Sequence, residues 1–292
     1  MRRRRRERPS RRRKGARPGR ILFLLPSLLG VGLFVLLPFG DVVRRSFLTA
    51  VTGRFAGLSN YRTVFSNEAF RLAAGNTLKF TAVCVPLLVG AGLLLAVQIG
   101  KAARGELIRS LYLLPMAIPA AAVALFWKML FSDRGLWNGW LSALAGQTVS
   151  LDYMNTQAAF WVLVFSYLWK NLGYTVVLWM AGLHCVPKEL CEAAGIDGAS
   201  ERQCFWRVVF PNLKGSLYTI TVLSFLNAFK VFREAYLVAG SYPHESIYLL
   251  QHLFNNWFVH LELDKLAAAA VCVSVFLLAF ILLLQRLWEG EN

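Results

Sequence analysis

Lys170, Lys230, Arg233 and Glu234 stand inside long apolar stretches, and Ser224 and Asn227 precede the last three at helical spacing. A charged side chain at mid-membrane depth costs about 2.5–3.5 kcal/mol on insertion scales, so it faces a bundle interior or a water-filled cavity. At about 100° per residue, Asn227, Lys230 and Glu234 share one helix face, with Ser224 at its edge. Two uses of such a stripe stay open. It can glue helices together, with Lys230 paired to Glu234 one turn on. It can equally line a path for a polar solute, to which Lys170 would contribute.

No catalytic constellation accompanies the stripe. The chain has no G-x-x-x-x-G-K-[ST] phosphate loop, no G-x-S-x-G elbow, no H-E-x-x-H and no G-x-G-x-x-G. The expectation is a protein that is not an enzyme and holds no cofactor of its own. Moving a solute against a gradient would then draw on an ion gradient or on another subunit. The five cysteines include no C-x-x-C, which supports neither a zinc site nor a disulfide framework. His244, His252 and His260 recur every eight residues and read as scattered interfacial histidines rather than as a metal site.

The elements that must carry these residues follow from composition. Of 292 residues, 57% are apolar and only 16% charged, with a mean hydropathy of +0.49. Soluble domains run near 45–50% apolar and about 25% charged, so the departure is toward what lipid demands. It excludes disorder, a collagen-like fibre and a secreted disulfide scaffold. The net charge of +16 is concentrated: residues 1–20 hold 12 of the 32 Lys and Arg against one acid, Glu7, which leaves +5 for the rest. Such a tail anchors topology against anionic lipid and is not expected to bind nucleic acid.

A spanning helix needs roughly 20 apolar residues to cross about 30 Å of hydrocarbon. Six windows qualify, at 21–40, 78–100, 107–131, 158–183, 216–239 and 266–288, the first, fourth and sixth being clearest. A β-barrel would need strands of about 9–11 residues instead. The expected fold is therefore all-α, a polytopic membrane protein with six transmembrane helices. The first window is too long for a signal-peptide core and runs on as Asp41-Val-Val-Arg44 without a small-residue cleavage site, so it reads as a retained span. With the Arg-rich tail inside, six spans put both termini in the cytoplasm. Pro115 and Pro119 share a face of the third span, where a packing kink is expected, and Trp127, Trp137 and Trp140 suit an outer aromatic belt.

Between the fourth and fifth windows, residues 184–211 read as helix–turn–helix. Pro187 suits a first helical position, and Lys188 to Ala194 are good helix formers. Gly198 is the expected left-handed residue that stops the helix. Ser200 and Gln203 form an S-x-x-Q capping box for a second helix, and Pro211 marks its bend toward the fifth span. A folded amphipathic element of this size on the cytoplasmic face reads as a docking surface.

At these residues the chain resembles the permease subunits of ABC importers. Glu192-Ala193-Ala194, then Gly198 after three residues and Val208-x-Phe210-Pro211 after nine more, is similar to the family's EAA motif, E-A-A-x3-G-x9-I-x-L-P. Val208 and Phe210 are conservative departures. The resemblance extends to carbohydrate-uptake permeases of the maltose-transporter kind. It is carried by Phe23-Leu-Leu-Pro26, Gly57-Leu-Ser-Asn-Tyr61, Asn76-Thr77, Leu114-Pro-Met-Ala-Ile-Pro119, Trp169-Lys-Asn-Leu-Gly173, Ala181-Gly-Leu183 and Pro187-Lys-Glu-Leu190. Many relatives have Gly-Gly-Gly-Pro after the fifth span, where this chain reads Ala239-Gly-Ser-Tyr-Pro243.

The resemblance implies a permease domain over residues 21–288, between the basic tail at 1–20 and a short C-terminal tail at 289–292. It implies partners: a second permease completing a heterodimer, two cytoplasmic ATPase subunits that bind the ATP, and an extracytoplasmic solute-binding protein. The setting would be the plasma membrane of a bacterium. Glu192, Ala193, Ala194, Gly198 and Pro211 would belong to the loop that couples to the ATPase. The solute would be a sugar or oligosaccharide, or alternatively a non-sugar such as glycerol phosphate. Two rival classes are an ion-coupled secondary transporter and a membrane scaffold that transports nothing. The first would need an internal repeat and a discontinuous-helix ion site, and no convincing repeat joins the two halves.

Overall fold

The computed structural model describes residues 18–102 and 105–289. Most of the basic tail, Arg104 and the last three residues of the C-terminal tail lie outside the described residues. Among the described residues the secondary structure is helical, apart from one isolated β-bridge between Leu48 and Phe55. Helix α1 (Pro18–Val31) passes through a π turn into α2 (Leu37–Arg45), and the short α3 (Ser59–Ser66) leads into α4 (Glu68–Lys101). Then come α5 (Gly105–Ala117), α6 (Ala120–Phe131), α7 (Leu136–Ala145) and α8 (Ala158–His184). The loop helices are α9 (Lys188–Ile196), α10 (Glu201–Cys204) and α11 (Phe210–Asn212). The chain ends with α12 (Lys214–Ala228), α13 (Phe232–Ala239), α14 (Leu250–Val259) and α15 (Leu263–Glu289).

Four helical stretches are long and apolar enough to cross a membrane: Leu24–Arg45, Glu68–Lys101, Lys214–Ala239 and Leu263–Trp288. A bent pair, Leu107–Ala117 with Ala120–Ala145, makes a fifth if counted as one span. Two expectations need correction here. The fourth window, read as one of the clearest, forms the 27-residue α8, which is long enough but falls short in hydropathy. The reason is position: α8 packs against α4, α5 and α12, and a helix enclosed by protein need not be apolar toward lipid. The third window is not a kinked single helix but breaks at Ile118, with the two axes bent by 91°. Pro119 has no N–H to continue the helix and drives the residue before it out of the helical region, so it caps α6 in an extended conformation (φ −57°, ψ 142°).

Two other prolines sit behind widened turns. The Leu37 N–H reaches the Gly32 carbonyl ahead of Pro38, and the Phe210 N–H reaches the Phe205 carbonyl ahead of Pro211. A π turn of this kind makes room where the ring would meet the carbonyl of the preceding turn.

The core has three levels. In the middle, Phe80, Cys84 and Leu88 of α4 interleave with Phe160, Leu163 and Tyr167 of α8 and with Phe225 and Ala228 of α12. At the end that carries the loop helices, Trp179 is fully buried among Ala96, Ile99, Leu213 and Ile220, and its indole N–H donates to the Val89 carbonyl at 3.0 Å. Close approach here depends on glycine. A Cβ at Gly92 would come within 2.6 Å of Thr175, and one at Gly173 would run into the Tyr112 carbonyl of α5. The Trp288 indole donates to the Lys214 carbonyl at 3.0 Å, which brings the end of α15 to this level.

At the opposite end Phe70, Ala73, Leu253, Trp257, Ala268 and Ala269 form the third cluster. Asn76 donates to the Tyr248 carbonyl and the Thr77 hydroxyl accepts the Leu250 N–H, both at 3.0 Å, fastening the turn before α14 onto α4. Ala50 N–H donates to Asp264 at 3.3 Å, so the far end of the first span also lies at this level. His252 is fully buried among Phe232, Tyr236 and Tyr248, a core residue and not the interfacial histidine expected. Its Nδ1 accepts the Leu249 N–H at 3.2 Å, which leaves the proton of the neutral ring on Nε2, an atom with no hydrogen-bond partner among the described residues. Burial disfavours a second proton and holds the pKa down at about 4. Trp127 is likewise buried, against Phe131, Phe165 and Trp169, while Trp137 and Trp140 are exposed as a belt requires.

Two outcomes follow from this packing. Gly173→Ala must displace the α5 backbone and is expected to cost about 1–3 kcal/mol, lowering the melting temperature in detergent. Gly90→Ala, whose Cβ would meet open space, is expected to leave it unchanged or slightly higher. For His252, the unfolded ring takes a proton near pH 6.5 and the folded ring only near pH 4. Its contribution is fully present above pH 6.5 and is lost as pH falls toward 4, up to about 3 kcal/mol. The gap in melting temperature between wild type and His252→Gln should therefore narrow from pH 7 to pH 4.5.

Candidate functional site

All the polar residues of the stripe except Ser224, together with Lys170, converge on one cavity of about 320 Å³. Ser166, Tyr167, Lys170 and Asn171 reach it from α8, Asn227 from α12, Lys230 from the turn that follows, Arg233 and Glu234 from α13, and Met116 from the broken end of α5. The fifth span is not the continuous α-helix that the face arithmetic assumes. A 3-10 turn, Phe229–Val231, joins α12 to α13 and advances about 120° per residue instead of 100°. Asn227, Lys230 and Glu234 border the same space all the same.

The charge pairing differs from the expected one. Glu234 pairs with Lys170 of α8, and not with Lys230 one turn before it in the same span. Both members are largely buried, at 19% and 12% exposure for Lys170 and Glu234. Lys230 and Arg233 are exposed and have no ion-pair partner among the described residues. Ser224 does not reach the cavity. It is buried between α8 and α12, its hydroxyl without a partner among the described residues and its carbonyl accepting the Tyr167 hydroxyl at 2.9 Å. Ser166, Asn171 and Met116 are lining residues that the sequence did not flag, since only the tertiary packing of three helices brings them together. Arg233 carried a usable signal, a charge at membrane depth, but lies off the helix face chosen for the stripe.

The second candidate site is the loop from α9 to α11. Pro187 stands just before the helix (φ −60°, ψ 132°), one residue earlier than expected. At the other end Gly198 has φ +81°, the Ala199 N–H donates to Ala194 at 2.9 Å and the Gly198 N–H to Gly195 at 3.0 Å. These are the two bonds of a Schellman stop. A Cβ at Gly198 would meet no atom, so the positive φ alone calls for glycine. The capping box is complete, with the Gln203 N–H donating to the Ser200 hydroxyl at 3.3 Å and the Ser200 N–H to Gln203 Oε1 at 2.9 Å. Glu201 pairs with Lys101 of α4 at 2.6 Å, which holds its carboxyl below the usual carboxylate range and ties the loop to the bundle.

Glu192 and Ala193 are exposed and Ala194 is half-buried, while Leu190 and Ile196 turn apolar side chains to the outside at 41% and 88% exposure. Glu192 also borders a groove of about 450 Å³ with Lys188, Phe205 and Val209. Pro211 is exposed beside the fully buried Leu213, at the joint between loop and α12. Cys191 and Cys204 bring their sulfurs to 2.8 Å across α9 and α10, and this contact raises the Cys191 thiol pKa. Their separation in sequence gave no sign of it.

The cavity's ion pair sets a direct test. Glu234→Gln leaves Lys170 charged and half-enclosed, and removing one member of such a pair costs about 3–5 kcal/mol when burial is complete. A lower melting temperature is expected for Glu234→Gln than for Lys230→Gln, which breaks no pair. The double variant Lys170→Met with Glu234→Leu should recover part of the loss.

A family model described as the binding-protein-dependent transport system inner membrane component matches residues 88–289. YesP of Bacillus subtilis (strain 168), named a probable ABC transporter permease protein, is 30% identical over 80% of this chain and 79% of its own length. The trehalose/maltose transport system permease protein MalF of Thermococcus litoralis is 29% identical over 90% of this chain and 89% of its own. UgpA of Agrobacterium fabrum, an sn-glycerol-3-phosphate transport system permease protein, is 27% identical over 88% and 90%. Among solved structures, a bacterial ABC transporter involved in the import of the acidic polysaccharide alginate shares the fold, with a TM-score of 0.79 at 19% identity over 92% of this chain and 94% of that one. With a family match over more than half its length and with the loop and cavity it builds, the chain belongs to the inner membrane components of binding-protein-dependent transport systems, the permeases of ABC importers.

Proposed function

We propose that the chain is one of two permease subunits that line the path of a carbohydrate importer in a bacterial plasma membrane. Two ATPase subunits, which hold the ATP, dock on α9, and an extracytoplasmic binding protein delivers the solute. The chain itself needs no cofactor. The carbohydrate reading is supported by relatives such as the trehalose/maltose permease and by the alginate importer's fold. Six spans are assigned: α1–α2, α4, α5–α6, α8, α12–α13 and α15, with the loop helices and both chain ends in the cytoplasm. Three contacts support alternating directions. Lys101–Glu201 and Trp288–Lys214 join helix ends at the loop level, and Ala50–Asp264 joins ends at the other.

The observation that carries the docking assignment is the loop's construction. An isolated nine-residue helix is marginal in water, yet α9 is stopped by a full Schellman motif and followed by a full capping box. That local stiffness holds Glu192, Ala193 and Ile196 outward. Glu192 is placed to accept charge-assisted hydrogen bonds from a basic residue of the ATPase, and small Ala193 and Ala194 let a cleft wall approach closely.

Ala194→Arg and Gly198→Val should each abolish ATP-driven uptake while the permease stays in the membrane at normal level. Gly198→Asn should retain most uptake, because asparagine tolerates positive φ at a helix stop. Uptake is measured with labelled solute in cells, and docking by co-purification of the ATPase. Unchanged uptake in both disruptive variants would remove the coupling assignment.

A further inference from the structure

The cavity's charges do not balance. Its lining includes three cations, Lys170, Lys230 and Arg233, and one acid, Glu234. The acid is taken by Lys170, which leaves Lys230 and Arg233 without a counter-charge among the described residues. The remaining polar groups, Ser166, Asn171 and Asn227, are neutral. Unpaired cations at membrane depth are costly, and they persist where a wet path or a passing anion compensates them. A neutral sugar is held by neutral hydrogen-bonding groups and aromatic faces. Here the one aromatic ring lining the cavity, Tyr167, is only 3% exposed and its hydroxyl already donates to Ser224. A planar guanidinium beside an ammonium instead suits carboxylate or phosphate oxygens, the first by paired hydrogen bonds and the second as a point charge.

We infer that this cavity passes an anionic solute, a saccharide or small polyol bearing carboxylate or phosphate, with Lys230 and Arg233 as its counter-charges. The inference rests on the importer reading and narrows it to one substrate class. The competing source of compensation is an acidic residue of the second permease facing the same space, and the assembled transporter separates the two.

The first arm needs no knowledge of the solute. In the assembled transporter, with Cys84, Cys185, Cys191, Cys204 and Cys272 replaced and Asn227→Cys introduced, modification by a negatively charged methanethiosulfonate is compared with that by a positively charged one. Relative to a free thiol, the anionic reagent should be favoured by about tenfold, as focused potential in a narrow cleft provides. Lys230→Gln with Arg233→Gln should erase the preference. A wild-type ratio equal to that of the free thiol means the partner subunit supplies the counter-charge, and overturns the inference.

The second arm offers an oligouronate trisaccharide, glycerol 3-phosphate and maltotriose to proteoliposomes holding the complete transporter and its binding protein. ATP-dependent uptake of an anion is expected, the trisaccharide and the phosphate telling carboxylate from phosphate. Uptake should fall about tenfold in the Gln pair and be kept by Lys230→Arg, which preserves both positive charges and leaves the Arg233 fork in place. Uptake of maltotriose alone overturns the anionic inference and leaves the importer reading standing. Failure of the ATPase to assemble with the chain strikes the importer reading itself. Where none of the three is taken up, the labelling ratio decides.

Discussion

The contact between α4 and α8 is closed by groups that cannot be enlarged. Gly92 lies against Thr175 and Trp179, and Trp179 in turn is locked to α4 through the Val89 carbonyl. Below it Phe80 meets Tyr167 edge to face, with ring centroids 5.4 Å apart. Lipid gives no hydrophobic reward for bringing two helices together, so close packing and buried hydrogen bonds must do it. Once α4 and α8 are fixed, Gly173 lets α5 rest on the next face of α8, and the Tyr167–Ser224 bond sets the height of α12. The cavity is the space left where these faces diverge.

That space opens where helices are interrupted. Ile118 and Pro119 break the third span beside Met116, and the 3-10 turn at 229–231 interrupts the fifth at Lys230. In hydrocarbon such interruptions are tolerated only where protein or water can satisfy the freed backbone groups. Their coincidence with the four charged side chains of the cavity is therefore one feature seen twice: a wet pocket admits both loosened backbone and Lys230 or Arg233. The Lys170–Glu234 pair lies across the same gap and ties α8 to α13 there.

Much of this was legible in the sequence wherever a local rule governs. Gly198, Ser200 and Gln203 take the roles their types dictate, because helix caps are decided within a few residues. The long apolar stretches became helices for the same reason. What depends on neighbours was not legible. Hydropathy windows report suitability for lipid, so α8, ranked among the clearest windows by its length of apolar residues, falls short there because its partners are other helices. A helical wheel cannot see that Lys170 competes with Lys230 for Glu234, nor that a 3-10 turn shifts the stripe. Ser224, Trp127 and His252 carry polar atoms that suggested a lumen or an interface, and each is buried in the core. Asn76 and Thr77 stood out only as a resemblance, and their work, anchoring the turn before α14, appears once the fold is formed.

The loop and the cavity share two helices, and the two differ in stiffness. From Lys170 to His184, α8 runs unbroken and free of proline for about 21 Å at 1.5 Å per residue, and α9 begins shortly after it. On the return, α12 starts at the joint behind Pro211 and reaches Asn227 before the 3-10 turn. The loop also meets α4 through the solvent-exposed Glu201–Lys101 pair. Between the loop and Lys170 thus runs one uninterrupted helix, and between the loop and Lys230 a helix followed by a 3-10 turn. Moving the first relative to the second strains the Lys170–Glu234 contact, the single ion pair among the described residues that spans the gap. Any displacement of α8 relative to α13 must stretch or slide that pair, so it is the contact that registers a change in the cavity's shape.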